Sequence, residues 1–242
     1  MKSLFLKATG AVIILAGFAV VRADTLYQNT ATPSDYVLNF NNGDAIGEEV
    51  WLGTGALAEY LTNFQFQYYS PNPGGFASVE ADVQFYENNG TPTNGYNSPG
   101  TLFYDSGLFS VPNPWSVFNP SGPTNSATLN FALSDLQSGT MPLDPNLAMP
   151  SNFTFVVTFS GLSGGDQVGL PVFDPPQVGA NAGDYWYDVS GNWELLTNSV
   201  GPIAFGAEFF GSPQPTPEPS VLCLGALGAA LTVMARRRQR RG

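Results

Sequence analysis

The chain has 242 residues, a formal charge of −11 from 8 Lys and Arg against 19 Asp and Glu, no His and one Cys. Its bases lie only at the ends (Lys2, Lys7, Arg22; Arg236, Arg237, Arg238, Arg240, Arg241), while Asp24 to Pro219 holds all 19 acids and no Lys, Arg, His or Cys. That inventory excludes catalysis by imidazole, thiolate, Schiff-base lysine or arginine clamp, and with it nucleic-acid binding, which depends on cations that neutralise phosphates.

In chain order, residues 1–23 read as a secretory signal peptide. Lys2 and Lys7 make a basic start, Ala11 to Val21 an apolar stretch, and Val21-Arg22-Ala23 a small-residue cleavage site, so Ala23 is the expected last residue removed. Residues 24–211 suit one domain by length. The body lacks cysteine and must hold together by core burial.

Side-chain alternation carries the secondary structure of that body. Phe64, Phe66 and Tyr68 alternate with Asn63, Gln65 and Gln67; Val79, Ala81, Val83 and Phe85 with Glu80, Asp82, Gln84 and Tyr86; Phe153, Phe155, Val157 and Phe159 with Thr154, Thr158 and Ser160. A period of two predicts half-buried strands. Shorter strands are predicted over Tyr36 to Phe40, Glu48 to Leu52, Leu102 to Tyr104, Leu108 to Val111, Thr128 to Leu133, Val168 to Phe173, Trp186 to Val189, Trp193 to Leu196 and Ala204 to Phe210. Asn42-Gly43, Asn89-Gly90, Asn94-Gly95, Pro99-Gly100, Gly164-Gly165 and Gly191-Asn192 supply the reversals. Many short strands and no amphipathic helix predict an all-β fold, a jelly-roll-like antiparallel β-sandwich, with a closed barrel as the alternative.

Residues 212–220 form a Pro-rich spacer carrying Pro217-Glu218-Pro219. Residues 221–235 form an apolar helix with Cys223 as a small buried hydrophobe, and residues 236–242 a basic tail. Fifteen residues span about 22 Å as a helix, short of a bilayer core of about 30 Å. Arg236, Arg237, Arg238, Arg240 and Arg241 orient this transmembrane helix with its basic end in the cytoplasm and the acidic body outside the inner membrane.

The order Pro-Glu-Pro, short apolar helix, arginine cluster over residues 217–242 resembles the PEP-CTERM sorting signal of Gram-negative bacteria. The resemblance implies an exosortase-type processing enzyme as partner, cutting near Pro217-Glu218-Pro219. It also implies an inner-membrane-anchored intermediate, and delivery to the outer surface or extracellular matrix of a bacterium that makes exopolysaccharide. The alternative is a plain C-terminal anchor that is never cut. Pro99-Gly100-Thr101-Leu102, Phe159-Ser160-Gly161-Leu162, Asp184-Tyr185-Trp186 and Phe205-Gly206-Ala207 also resemble uncharacterised β-rich domains that carry this tail, a likeness that brings no activity with it.

No cofactor is expected beyond structural calcium, the one ion that carboxylates, amides and backbone oxygens suit. The candidate ligand sets are Asn41, Asn42, Asp44, Glu48 and Glu49; Glu87, Asn88 and Asn89; and Asp184, Asp188 and Glu194, none of them an EF-hand loop. Asn and Asp in turns are as readily turn formers. Trp115, Tyr185, Trp186 and Trp193 are candidate glycan-stacking rings, the alternative being that they pack into the core. Three functions stand in order: a non-catalytic structural or adhesive surface protein, a module that binds exopolysaccharide, and a glycan-acting enzyme working through paired carboxylates. No spacing singles out such a pair.

Overall fold

The computed structural model describes residues 23–53, 59–71, 76, 78–112, 126–188, 190–197 and 201–213. The elements in chain order are β1 (Asp24–Gln28), β2 (Pro33–Asn39), β3 (Ala45–Trp51), β4 (Tyr60–Tyr69), β5 (Glu80–Glu87), β6 (Pro92–Thr93), β7 (Tyr96–Asn97), β8 (Leu102–Asp105) and β9 (Phe109–Ser110). They continue with β10 (Ser126–Ala132), α1 (Leu133–Leu136), β11 (Asn152–Ser160), β12 (Gly169–Phe173), β13 (Ala180–Asn181), β14 (Tyr185–Asp188), β15 (Trp193–Leu196) and β16 (Ala207–Ser212).

Every strand pairing is antiparallel. The first sheet runs β1-β16-β4-β12-β2 with β10 also on β4; the second runs β15-β14-β3-β11-β5-β8 with β13 on β3 and β9 on β5. The strands predicted from alternation are present, and β16 ends at Ser212, one residue beyond the predicted domain end. Four short strands were not predicted. β1 starts at Asp24 directly after Ala23 and pairs with β16 at the far end of the domain, while β6, β7 and β13 have two residues each. Segments that short carry no readable period.

Alternation decides which side chains meet. Phe64 of the first sheet packs edge-on against Phe85 of the second, with ring centroids 5.2 Å apart. Phe209 does the same with Phe153 at 5.1 Å. Phe64, Phe85, Phe153, Phe155 and Phe209 are all fully buried, so two antiparallel sheets share one aromatic core, the layering of a β-sandwich. Edge-to-face pairs of this kind add to the burial energy of each ring.

The turn between β6 and β7 is made by Asn94 and Gly95 at φ 51° and 91°. Both lie in the left-handed region that a type I′ hairpin needs and that Asn-Gly reaches at least cost. Gly90 and Gly100 sit elsewhere for a different reason: a Cβ on Gly90 would lie 2.3 Å from Ser98 Oγ, and one on Gly100 2.1 Å from Asn89 Oδ1. Close approach, rather than a special φ, selects glycine at those two positions.

Candidate functional site

Among the sequence-derived stacking candidates, Trp115 lies outside the described residues, as do Pro217, Glu218, Pro219, Arg236, Arg237, Arg238, Arg240, Arg241 and the apolar helix. Among the described residues no helix is long and apolar enough to cross a membrane. Tyr185 faces the core side, packed against the buried cluster with Phe205 6.5 Å away. Trp186 is fully buried, so its ring has no free face to offer a ligand. Trp193 is half-buried and stands edge-on to Tyr86, centroids 5.8 Å apart.

The register explains this arrangement. Trp186 pairs with Gly47, Gly47 with Val156, and Val156 with Gln84, so these four share one row across the outer face of the second sheet. The neighbouring row is Glu49, Thr154 and Tyr86. Glycine at 47 leaves room for a ring, since a Cβ there would already sit 2.7 Å from Thr154 Cγ2 and 3.0 Å from Val156 Cγ2. β15 stands four strands from β5, roughly 19 Å in a flat sheet. For Trp193 to meet Tyr86, the β14–β15 hairpin has to curl over this outer face. Thr154 and Val156 are buried on the same face, where alternation alone predicts solvent for Thr154.

Around the Trp193–Tyr86 pair the face is acidic and amide-rich. Asp188 Oδ1 accepts the Gly191 N–H at 2.7 Å and so closes the β14–β15 turn. Gln84 Nε2 donates to Asp105 Oδ2 at 3.0 Å, Tyr86 donates its hydroxyl to Gln84 Oε1 at 2.8 Å, and Ser106 Oγ donates to Asp82 Oδ1 at 3.0 Å. Burial first, then the neighbouring Asp105 charge, hold the Asp82 carboxyl above its ordinary range. Burial, helped by the charges of Asp105, Asp82 and Asp188, pushes the Tyr86 hydroxyl up to about 12. Tyr86 was legible only as the one aromatic on the polar side of the β5 alternation.

The expected calcium sets are dispersed. Glu48 and Glu49 are consecutive in β3 and point to opposite faces. Glu48 enters the core, whereas Glu49 accepts the Asn152 side-chain amide at 3.2 Å on the outer face. Asp44 accepts from Asn41 at 2.8 Å and from the Tyr187 hydroxyl at 2.7 Å. Glu87 is bound by Asn89 at 2.8 Å, while Asn88 accepts from Thr154 at 2.7 Å. Asp188 and Glu194 pair with Trp193 and Tyr187, in adjacent rows of the hairpin, and so face opposite sides. Among the described residues no three acidic side chains converge as a metal site.

Among the described residues Glu48 is the one acid fully inside the sandwich. Its Oε1 accepts from Asn181 Nδ2 at 2.6 Å and from the Tyr27 hydroxyl at 3.4 Å, and its Oε2 accepts the Phe205 N–H at 2.9 Å. Burial raises its pKa to about 8, against the lowering effect of those three donors. Desolvation therefore wins, and Glu48 is largely a neutral acid at pH 7. Glu208, on the other sheet, instead keeps to a polar cluster with Gln28 at 3.2 Å and with Thr30 and Gln65.

In comparisons with known proteins, no family model, no curated protein and no solved structure matches this chain.

Proposed function

We propose that the protein is an exported, non-catalytic β-sandwich of the bacterial outer surface or extracellular matrix, with a structural or adhesive role, delivered by its PEP-CTERM-like tail. One observation carries this reading: a cation-free acidic body is framed by a leader and by the ordered series Pro217-Glu218-Pro219, apolar helix and arginine cluster. We read the sandwich as jelly-roll-like, supported by neighbours distant in sequence such as β1 beside β16 and β3 beside β11. An exosortase-type enzyme is the processing partner and the inner membrane the transient anchor. Intact mass of the protein recovered from the outer surface tests the proposal. A chain starting at Asp24 and ending near Pro219 supports it, and a retained arginine cluster on a protein found only in the inner membrane refutes the sorting step.

A second reading, exopolysaccharide binding, is favoured by the half-buried Trp193–Tyr86 pair beside Asp188 and Gln84. Ring faces next to carboxylates and amides suit stacking plus hydrogen bonds to sugar hydroxyls. Polysaccharide pull-down lost on Trp193→Ala supports it; pull-down unchanged by Trp193→Ala and Tyr86→Ala refutes it.

A further inference from the structure

On the side of the sandwich away from the β14–β15 hairpin, no strand pairing joins the two sheets among the described residues. β10 has a strand partner on one side only among the described residues, and β8 and β9 end the second sheet opposite it. A cleft of about 260 Å³ opens between these edges, with α1 at its rim. Its walls are Phe109, Leu129 and Phe131, Phe109 standing edge-on to Phe131 with centroids 5.3 Å apart. Tyr104 and Asp135 are its distinctive polar members.

Tyr104 is fully buried, and its hydroxyl has no hydrogen-bond partner among the described residues. A buried phenol left unpaired costs free energy that one suitable ligand atom would recover. Asp135 is exposed, and its Oδ2 accepts the Ala132 N–H at 2.9 Å. Burial first, then the charges of Asp135, Asp82 and Asp105, hold the Tyr104 hydroxyl well above its ordinary range. The cleft thus lies in a negative field, in a domain with no cation of its own between Asp24 and Pro219. That field repels anions and draws cations.

We propose that this inter-sheet cleft binds a small organic ammonium ion of single-ring size. The ammonium group pairs with Asp135, the body of the ligand packs on Phe109, Phe131 and Leu129, and the Tyr104 hydroxyl meets a polar atom of the ligand. Aromatic faces beside a carboxylate recognise an ammonium by charge and by cation–π attraction together. Such a cation can come from an amino sugar with a free amine or from an apolar amine.

The experiment is calorimetric titration of the purified protein with glucosamine and with cyclohexylammonium, each against its neutral counterpart, N-acetylglucosamine and cyclohexanol. Binding of either amine, weakened roughly tenfold or more by Asp135→Asn, is the expected result. The same amine should be weakened severalfold by Tyr104→Phe. Glucosamine alone binding identifies the amino-sugar source, and cyclohexylammonium binding as well identifies the bare amine as sufficient. Asn keeps an acceptor for Ala132, and Phe removes a hydroxyl without a partner among the described residues, so both variants should melt at or above the parent temperature. The proposal is overturned if neither amine binds, if the neutral counterparts bind equally, or if Asp135→Asn leaves the affinity unchanged in a folded protein.

Discussion

Asn181 Nδ2 lies 2.6 Å from Glu48 Oε1 and 2.7 Å from the Ile203 carbonyl, so one amide from β13 ties an acid in β3 to the strand region before β16. Tyr27 of β1 and the Phe205 N–H complete the ring of donors. These groups come from both sheets, and Glu48 is the polar pin between them.

Stability should therefore fall as pH rises across a defined window. Below about pH 4.5 Glu48 carries its proton in both folded and unfolded chains. From there to about pH 8 the unfolded chain ionises while the folded one keeps the proton, so folding loses ground with each unit; above pH 8 the slope vanishes. The whole effect is on the order of 5 kcal/mol at most. Urea denaturation from pH 5 to pH 9 measures it, and a flat profile would contradict a protonated Glu48.

Glu48→Gln should remove most of that slope. Glutamine is neutral at every pH, but its NH2 must face one of the donors now held by the carboxyl, a cost of about 1–3 kcal/mol near pH 5. The gap to the parent protein should narrow or reverse by pH 8.5. Parallel pH profiles for the two proteins would assign the slope to other groups.

Gly47→Ala tests the row beneath Trp186. The new Cβ would meet Thr154 Cγ2 at 2.7 Å and the Phe155 carbonyl at 3.2 Å. Overpacking between two paired strands should cost about 1–3 kcal/mol. Tryptophan fluorescence should report it as well, because the ring in the same row has to shift.

Trp186 and Trp193 should differ in the size of their effect when replaced by alanine. Removing the fully buried Trp186 should cost about 3–5 kcal/mol. Trp193→Ala loses only a half-buried ring and its contact with Tyr86, about 1 kcal/mol beyond lost area. Thermal melts of both variants separate the two roles, and equal destabilisation would mean that Trp193 also belongs to the packed layer.

The strands with a sustained period of two, the Asn94-Gly95 turn and the cation-free chemistry of the body are legible in the amino-acid sequence, because alternation, turn conformation and ionisable groups are properties of neighbouring residues or of composition. That Glu48 is buried while Glu49 turns outward, that Trp186 is covered while Trp193 reaches Tyr86, and that Tyr104 and Asp135 share one cleft follow from the folded arrangement of the sheets. Each of those outcomes depends on the register between strands far apart in the chain. Register is set by how complete faces pack, and a local pattern does not contain its own partner.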